Sequence, residues 1–227
     1  GGKMVGAMEA VAEMAARGLG LPPDAFTART AGGPHLLAPT GARFTDYYDA
    51  EEYGRPHPGS VLAGFHYDLN FLTVHGRSRF PGLAVWLRDG RRVEVAVPRQ
   101  CLLVQAGRQA EALTGGHLLA GFHEVTVSRR CHEAILRAKR RQGGRGGGLW
   151  RVSSTCFGAV AADRVLEPLG RFATPGAVAK YPPQYAGEQV EAELRVIGLA
   201  RASAVSTATG HCRQEEGGGE AGAAAAR

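Results

Sequence analysis

A chain of 227 residues, 44% hydrophobic and 21% charged, has room for one sizeable domain, or one domain with tails. Its longest apolar runs break at charges or glycines well before the about 18 residues that a membrane span needs, so no transmembrane helix is expected. The formal charge of +6 does not argue for nucleic acid: seven Lys or Arg against the single Glu133 between Arg129 and Arg145 carry all of it, and the rest sums to zero. A nucleic-acid footprint would spread over a folded face with polar or aromatic readers, so a solvated basic loop is the better reading.

The chain opens Gly-Gly-Lys-Met, with no charged start followed by an apolar centre, and so reads as having no signal peptide. The expected location is the cytoplasm, with an organelle as the alternative if a segment precedes Gly1. Cys101, Cys131, Cys156 and Cys212 lie far apart without a Cys-x-x-Cys pair, which predicts reduced thiols rather than disulfides or a structural zinc.

Residues 4–19 place Met4, Val5, Met8, Val11, Ala12, Met14, Ala15 and Leu19 at helical spacing, stopped by Gly20 with Pro22-Pro23 beyond. From Asp24 to Ser60 the pattern is irregular, with one strand expected at 34–38 and three tyrosines, Tyr47, Tyr48 and Tyr53, in a long loop. Strand-like segments then follow closely at 62–68, 71–75, 83–87, 92–97, 101–106 and 119–127, with Asp89-Gly90 as a strong hairpin signal. Short strands at near-even spacing predict a mainly β domain with flanking helices, a sandwich or jelly roll.

Residues 108–113 read as a helical turn or two. A short basic helix and the linker-like glycine run 143–148 follow, then a strand at 150–160, a turn-rich return at 163–172, and a helix at 187–199 with Val190, Leu194 and Ile197 on one face. Beyond Ser203 the composition predicts disorder. The organisation expected is therefore 1–60 packing on a core domain at 61–200 with a basic, Gly-rich insertion at 129–148, and a tail at 201–227.

Within this framework Leu62-Ala63-Gly64-Phe65-His66 recurs without a mismatch as Leu119-Ala120-Gly121-Phe122-His123. In extended backbone, residues i and i+2 share a face, so His66 and Asp68 would project together, away from Phe65 and Tyr67. Two imidazoles and one carboxylate with open positions are the ligand set of a facial triad for ferrous iron, which makes His66, Asp68 and His123 candidate metal ligands. The alternative, two satisfied core histidines, stays open on these residues alone.

Arg151 and Ser153 share a strand face by the same period, continued by Thr155. A guanidinium that grips a carboxylate bidentately, with a hydroxyl beside it, suits one end of a dicarboxylate. The competing reading is an arginine paired internally or turned to solvent.

Taken together, His66-Tyr67-Asp68 with Leu72-Thr73, His123, and Arg151-Val152-Ser153 resemble the His-x-Asp, distal His and Arg-x-Ser motifs of the iron(II) and 2-oxoglutarate-dependent dioxygenases of the isopenicillin N synthase-like group. The likeness extends in matching order to Gly82-Leu83, Gly107, Leu113-Thr114-Gly115-Gly116, Leu166-Glu167-Pro168-Leu169, Tyr181-Pro182-Pro183 and Gly187-Glu188, over roughly residues 60–200.

The resemblance implies a double-stranded β-helix and Fe(2+) held by His66, Asp68 and His123. It implies 2-oxoglutarate as cosubstrate with its far carboxylate on Arg151 and Ser153, molecular oxygen, and oxidation of a small organic molecule. The charges of ferrous iron, Asp68, a dicarboxylate and Arg151 cancel. No catalytic residue apart from these is expected; the partner is a small-molecule substrate, not nucleic acid or membrane, and the chain is expected to be a monomer.

Three departures stand out. Leu36-Leu37-Ala38-Pro39 replaces the family's usual Asn-x-Tyr-Pro, whose Tyr helps bind 2-oxoglutarate. Gln105-Ala106-Gly107-Arg108 replaces Asn-x-Gly-Asp, reversing a charge expected to tune substrate preference. The family's N-terminal domain is largely missing ahead of the first helix. These keep two alternatives in view, an iron oxidase that does not use 2-oxoglutarate and a catalytically silent binding module. His75 and His117 fit no family position and are read as loop or supporting residues; His35, His57, His132 and His211 have no supporting context.

Overall fold

Eight strands are dealt between two sheets. They are β1 (Leu36–Arg43), β2 (Val61–His66), β3 (Leu72–His75), β4 (Leu83–Trp86), β5 (Arg92–Glu94), β6 (Leu103–Ala106), β7 (His123–Thr126) and β8 (Trp150–Gly158). The first sheet runs β1-β8-β3-β6 and the second β2-β7-β4-β5, with each pair antiparallel. From β2 onward the chain passes back and forth between the sheets, and the result is the expected double-stranded β-helix. The computed structural model describes residues 1–43, 58–142, 149–196 and 198; Tyr47, Tyr48, Tyr53, His57, the 143–148 glycine run and the tail lie outside them.

Helix α1 (Gly2–Gly18) lies on β3 and β8, burying Met8, Ala12 and Ala16. These recur every fourth residue, so they form one stripe toward the sheet. Met14 lies off that stripe and is 70% exposed, against the expectation that it packs. Phe26 and Phe71 meet at 5.1 Å between ring centroids, joining the segment after α1 to the start of β3. A short helix, α2 (Thr27–Thr30), follows Phe26, and α3 (Arg108–Leu113) follows β6 as predicted.

The basic stretch is less of a loop than its charge suggests. Residues Arg129–Gln142 form a helix, α4, whose Cys131, Ile135 and Ala138 are buried with Phe80, Val127 and Leu149 in a second apolar cluster. Its arginines at 130, 137 and 140 keep to the exposed or half-exposed side. Positions i, i+4 and i+7 supply enough apolar surface to hold a helix whose other face is solvated.

Beyond β8, a two-stranded ribbon pairs β9 (Val165–Leu166) with β10 (Gln184–Tyr185), around α5 (Pro175–Lys180), which the turn-rich sequence concealed. Helix α6 (Ala186–Val196) buries Ala186 and Gln189, while Val190 and Leu194 are only half-buried and Ile197 is outside the described residues. The apolar periodicity thus named a neighbouring face. Gln189 is buried because its amide oxygen accepts from Gln109 at 3.2 Å.

Cys101 is exposed, whereas Cys131 and Cys156 are buried, and all three are free thiols. Burial pushes the Cys131 thiol up to about 11, so essentially no thiolate exists at pH 8. Treatment of the native protein with iodoacetamide at pH 8 is expected to label Cys101 within minutes and leave Cys131 and Cys156 unmodified until denaturant is added. Peptide mass mapping reads the order, and early labelling of Cys131 would contradict the packing of α4.

Candidate functional site

The two copies of Leu-Ala-Gly-Phe-His end on neighbouring strands: His66 closes β2, His123 opens β7, and the two are register partners. Nδ1 of His66 donates to the Gly64 carbonyl at 2.7 Å, and Nδ1 of His123 donates to the Gly121 carbonyl at 2.9 Å. A carbonyl only accepts, so each Nδ1 carries a proton, and in the neutral ring each Nε2 is then the nitrogen that keeps a lone pair. The repeat is therefore one local device used twice, in which the glycine of each copy orients the histidine of that copy. Tight strand approach is not the reason for Gly64, since a Cβ there would meet open space. Phe65 and Phe122 pack edge to face at 5.3 Å on the side away from the histidines, as the alternation predicts.

Asp68 lies past the end of β2, so the shared strand face does not bring it to His66; a turn does. Its carbonyl accepts from the Arg108 N–H at 2.8 Å, the Phe71 carbonyl accepts from the Gly107 N–H at 2.9 Å, and the Asn70 amide donates to the Leu72 and Gly158 carbonyls at 2.8 and 3.1 Å. Gly107 is required here because a Cβ would run into the Asn70 carbonyl. The approach to β7 is tied down as well: the Ala120 N–H donates to the buried Glu111 carboxylate at 2.8 Å, and the Tyr181 hydroxyl donates to the same carboxylate at 2.8 Å.

The outcome is a cluster in which one ligand atom from each of His66, Asp68 and His123 lies within 4.8 Å of the others. Nε2 of His66 and of His123 stand 3.7 and 3.9 Å from Asp68 Oδ1. Asp68 and His123 are buried, and Oδ2 of Asp68 has no hydrogen-bond partner among the described residues. A buried carboxylate oxygen without a donor is costly unless a cation sits beside it. Two imidazole nitrogens and one carboxylate suit ferrous iron with positions left open.

Across the same space, β8 alternates as predicted: Arg151, Ser153 and Thr155 are buried, while Trp150, Val152 and Ser154 are exposed. Nε of Arg151 finds no partner among the described residues, and burial lowers the guanidinium from its usual range. Ser153 donates to the Gly76 carbonyl at 3.5 Å, a long bond. A cavity of about 360 Å³ connects the triad with Arg151 and Ser153, walled by apolar residues including Ala63, Phe80, Leu83, Val125 and Phe157. All five residues singled out from the sequence line it.

A family model described as the 2OG-Fe(II) oxygenase superfamily matches residues 42–158. The chain belongs to that superfamily. The donor set and orphaned atoms described above fit the Fe(2+) and 2-oxoglutarate for which that superfamily is named.

A putative 2OG-Fe(II) oxygenase family protein from Caulobacter crescentus is 25% identical, with a TM-score of 0.65 over 85% of this chain and 55% of that one. A full-length protein from Neurospora crassa, solved with alpha-KG and 5-formyluracil, is 16% identical, with a TM-score of 0.64 over 84% and 56%. The dioxygenase for auxin oxidation 1 from Arabidopsis thaliana, solved with 2-oxoglutarate, is 20% identical, with a TM-score of 0.56 over 78% and 55%. The latter two support the fold alone. The chain spans about half the length of these solved structures. No curated protein sequence matches it.

Two expectations need correction. Arg108 does not border the cavity; it pairs with Glu111 at 3.2 Å and Glu193 at 3.7 Å and lies over the Tyr67 ring, so the reversed charge is absorbed on the flank. His75 is not a loop residue. It ends β3, lines the cavity, and stands 6.2 Å from His123 between ring centroids. Its sequence signal was the parity of β3, which puts His75 on the face of Thr73. Arg77 and Arg79 also reach the lining, from the turn after β3.

Proposed function

We propose that this chain is the catalytic part of an oxygenase that couples oxidative decarboxylation of 2-oxoglutarate to hydroxylation, or another C–H oxidation, of a small organic molecule. In this reading His66, Asp68 and His123 would hold the iron, and Arg151 with Ser153 would hold the far carboxylate of the cosubstrate. The observation that carries it is the pairing, across one cavity, of a carboxylate oxygen and a guanidinium nitrogen that are both buried without a partner among the described residues. Each orphan is met by one end of the proposed iron and 2-oxoglutarate pair.

Bound iron and 2-oxoglutarate supply the oxidising chemistry: cosubstrate and substrate each give two electrons to one dioxygen, yielding succinate, carbon dioxide and a hydroxylated product. The protein's own part is orientation. The glycine carbonyls hold both imidazoles in the ligating tautomer. Arg151 and Ser153 set the direction of the dicarboxylate. The apolar walls favour a compact substrate with an apolar body, while His66 leaves the centre open to solvent on its own side. Solved relatives in complex with thymine, and with 2OG, Fe and JA, are of the same small-molecule kind.

The test is succinate formation by the iron-loaded protein in air, with and without a panel of small aromatic and heteroaromatic substrates. Iron-dependent succinate that rises with one substrate class is expected. Full iron occupancy with no consumption of 2-oxoglutarate under any condition would replace this reading with an iron oxidase or a silent module.

A further inference from the structure

The first sheet carries a row of residues across its strands, Ala38 on β1, Thr155 on β8 and His75 on β3, each paired with the next by register. Directly opposed residues share a face, and Thr155 and His75 both line the cavity. At Ala38, where the family that the sequence resembles carries a tyrosine, this wall offers only a methyl group. Two strands away in the same row, His75 brings a polar ring to the wall between the triad and Arg151.

His75 is held in place. Its Nε2 is 2.7 Å from Oε1 of Gln105, the diagonal neighbour on β6, and the Gln105 Nε2 is buried with no partner among the described residues. A carboxamide offers a donor and an acceptor, so this pair has two arrangements. In the one described, the imidazole donates to the amide oxygen and leaves the amide nitrogen orphaned. With the amide turned over, its NH2 donates to Nε2, the imidazole proton moves to Nδ1, and the second ring nitrogen becomes a donor. A carboxylate, which only accepts, selects that second arrangement without adding charge to the site.

We propose that His75 is a 2-oxoglutarate-binding residue, donating a hydrogen bond to the 2-oxo acid end of the cosubstrate from the wall beside His123, with Gln105 setting its tautomer. The inference rests on the iron and 2-oxoglutarate reading above. It explains why a half-buried histidine that lines this cavity is backed by a buried glutamine, beside walls that are largely apolar.

The experiment is an anaerobic titration of the iron-loaded protein with 2-oxoglutarate, read by the visible charge-transfer band of a 2-oxo acid chelated to ferrous iron. Iron content and melting temperature are measured in parallel. His75→Leu is expected to keep the parent iron content and fold while raising the 2-oxoglutarate dissociation constant about ten- to hundredfold, the loss of one hydrogen bond to a charged group. His75→Gln, which retains a donor, should recover most of that loss. An unchanged constant in His75→Leu, or a His75→Gln as weak as His75→Leu, would overturn the assignment of His75 while the parent's band stands. No band in the iron-loaded parent would overturn the cosubstrate reading itself, and His75's role with it.

Discussion

Replacing Asp68 by Ala is expected to abolish stoichiometric iron binding while leaving the chain folded and no less stable. Asp68 is the anionic member of the cluster, so its loss leaves two neutral imidazoles to hold a dication. Its side chain is 6% exposed and Oδ2 lacks a donor among the described residues, so without a cation the carboxylate contributes desolvation cost rather than bonding. Removing it should leave the metal-free protein unchanged or more stable by about 1–3 kcal/mol, the usual penalty of an unsatisfied buried polar group.

Anaerobic loading followed by metal analysis, with thermal melting of the metal-free forms, separates the two effects. His123→Ala should lose iron in the same way. One iron per chain in either variant would remove that residue from the site. Because the neighbouring turn is held by main-chain bonds from Gly107 and Arg108, the Asp68 substitution has little route to general unfolding.

Arg151→Met should weaken 2-oxoglutarate by about 2–5 kcal/mol, the range for breaking a buried, hydrogen-bonded charge pair. The same change should leave the cosubstrate-free protein as stable as the parent or more so. A methionine keeps much of the side-chain volume and removes a guanidinium whose Nε is buried without a partner among the described residues. The two readouts oppose each other, which distinguishes an anchor from a structural arginine: an internal pairing role predicts loss of stability with affinity intact. Unaltered affinity for 2-oxoglutarate, titrated against the iron-loaded protein, would sink the anchor assignment.

The β-rich fold and the grouping of the five candidate residues round one cavity were legible from the chain through the repeated Leu-Ala-Gly-Phe-His, the likeness of the motifs and, along β2 and β8, strand parity. Arg151, Ser153 and Thr155 follow it along β8, and Phe65 opposes His66 on β2. Other details broke from local pattern for identifiable reasons. Asp68 reaches the histidines through a turn set by Gly107 and Asn70, which no strand period describes. Met14 is apolar but sits off the stripe that meets the sheet, so helical spacing alone misassigned it. His75 looked unremarkable in sequence because nothing local says that β3 lies next to β8, with its last residue against Thr155.

What the amino-acid order determined by itself was therefore the inventory: which strands form, which side chains share a face, and which candidate ligands and anchors are present in matching halves. The tertiary structure alone decided how those halves meet. It set the His66 and His123 register, the two glycine carbonyls that choose the imidazole tautomers, and the shared cavity in which Asp68 and Arg151 are both buried short of partners among the described residues. The reason is that parity and helical period act over a few residues, whereas desolvation and unsatisfied charge depend on what the rest of the chain packs around them.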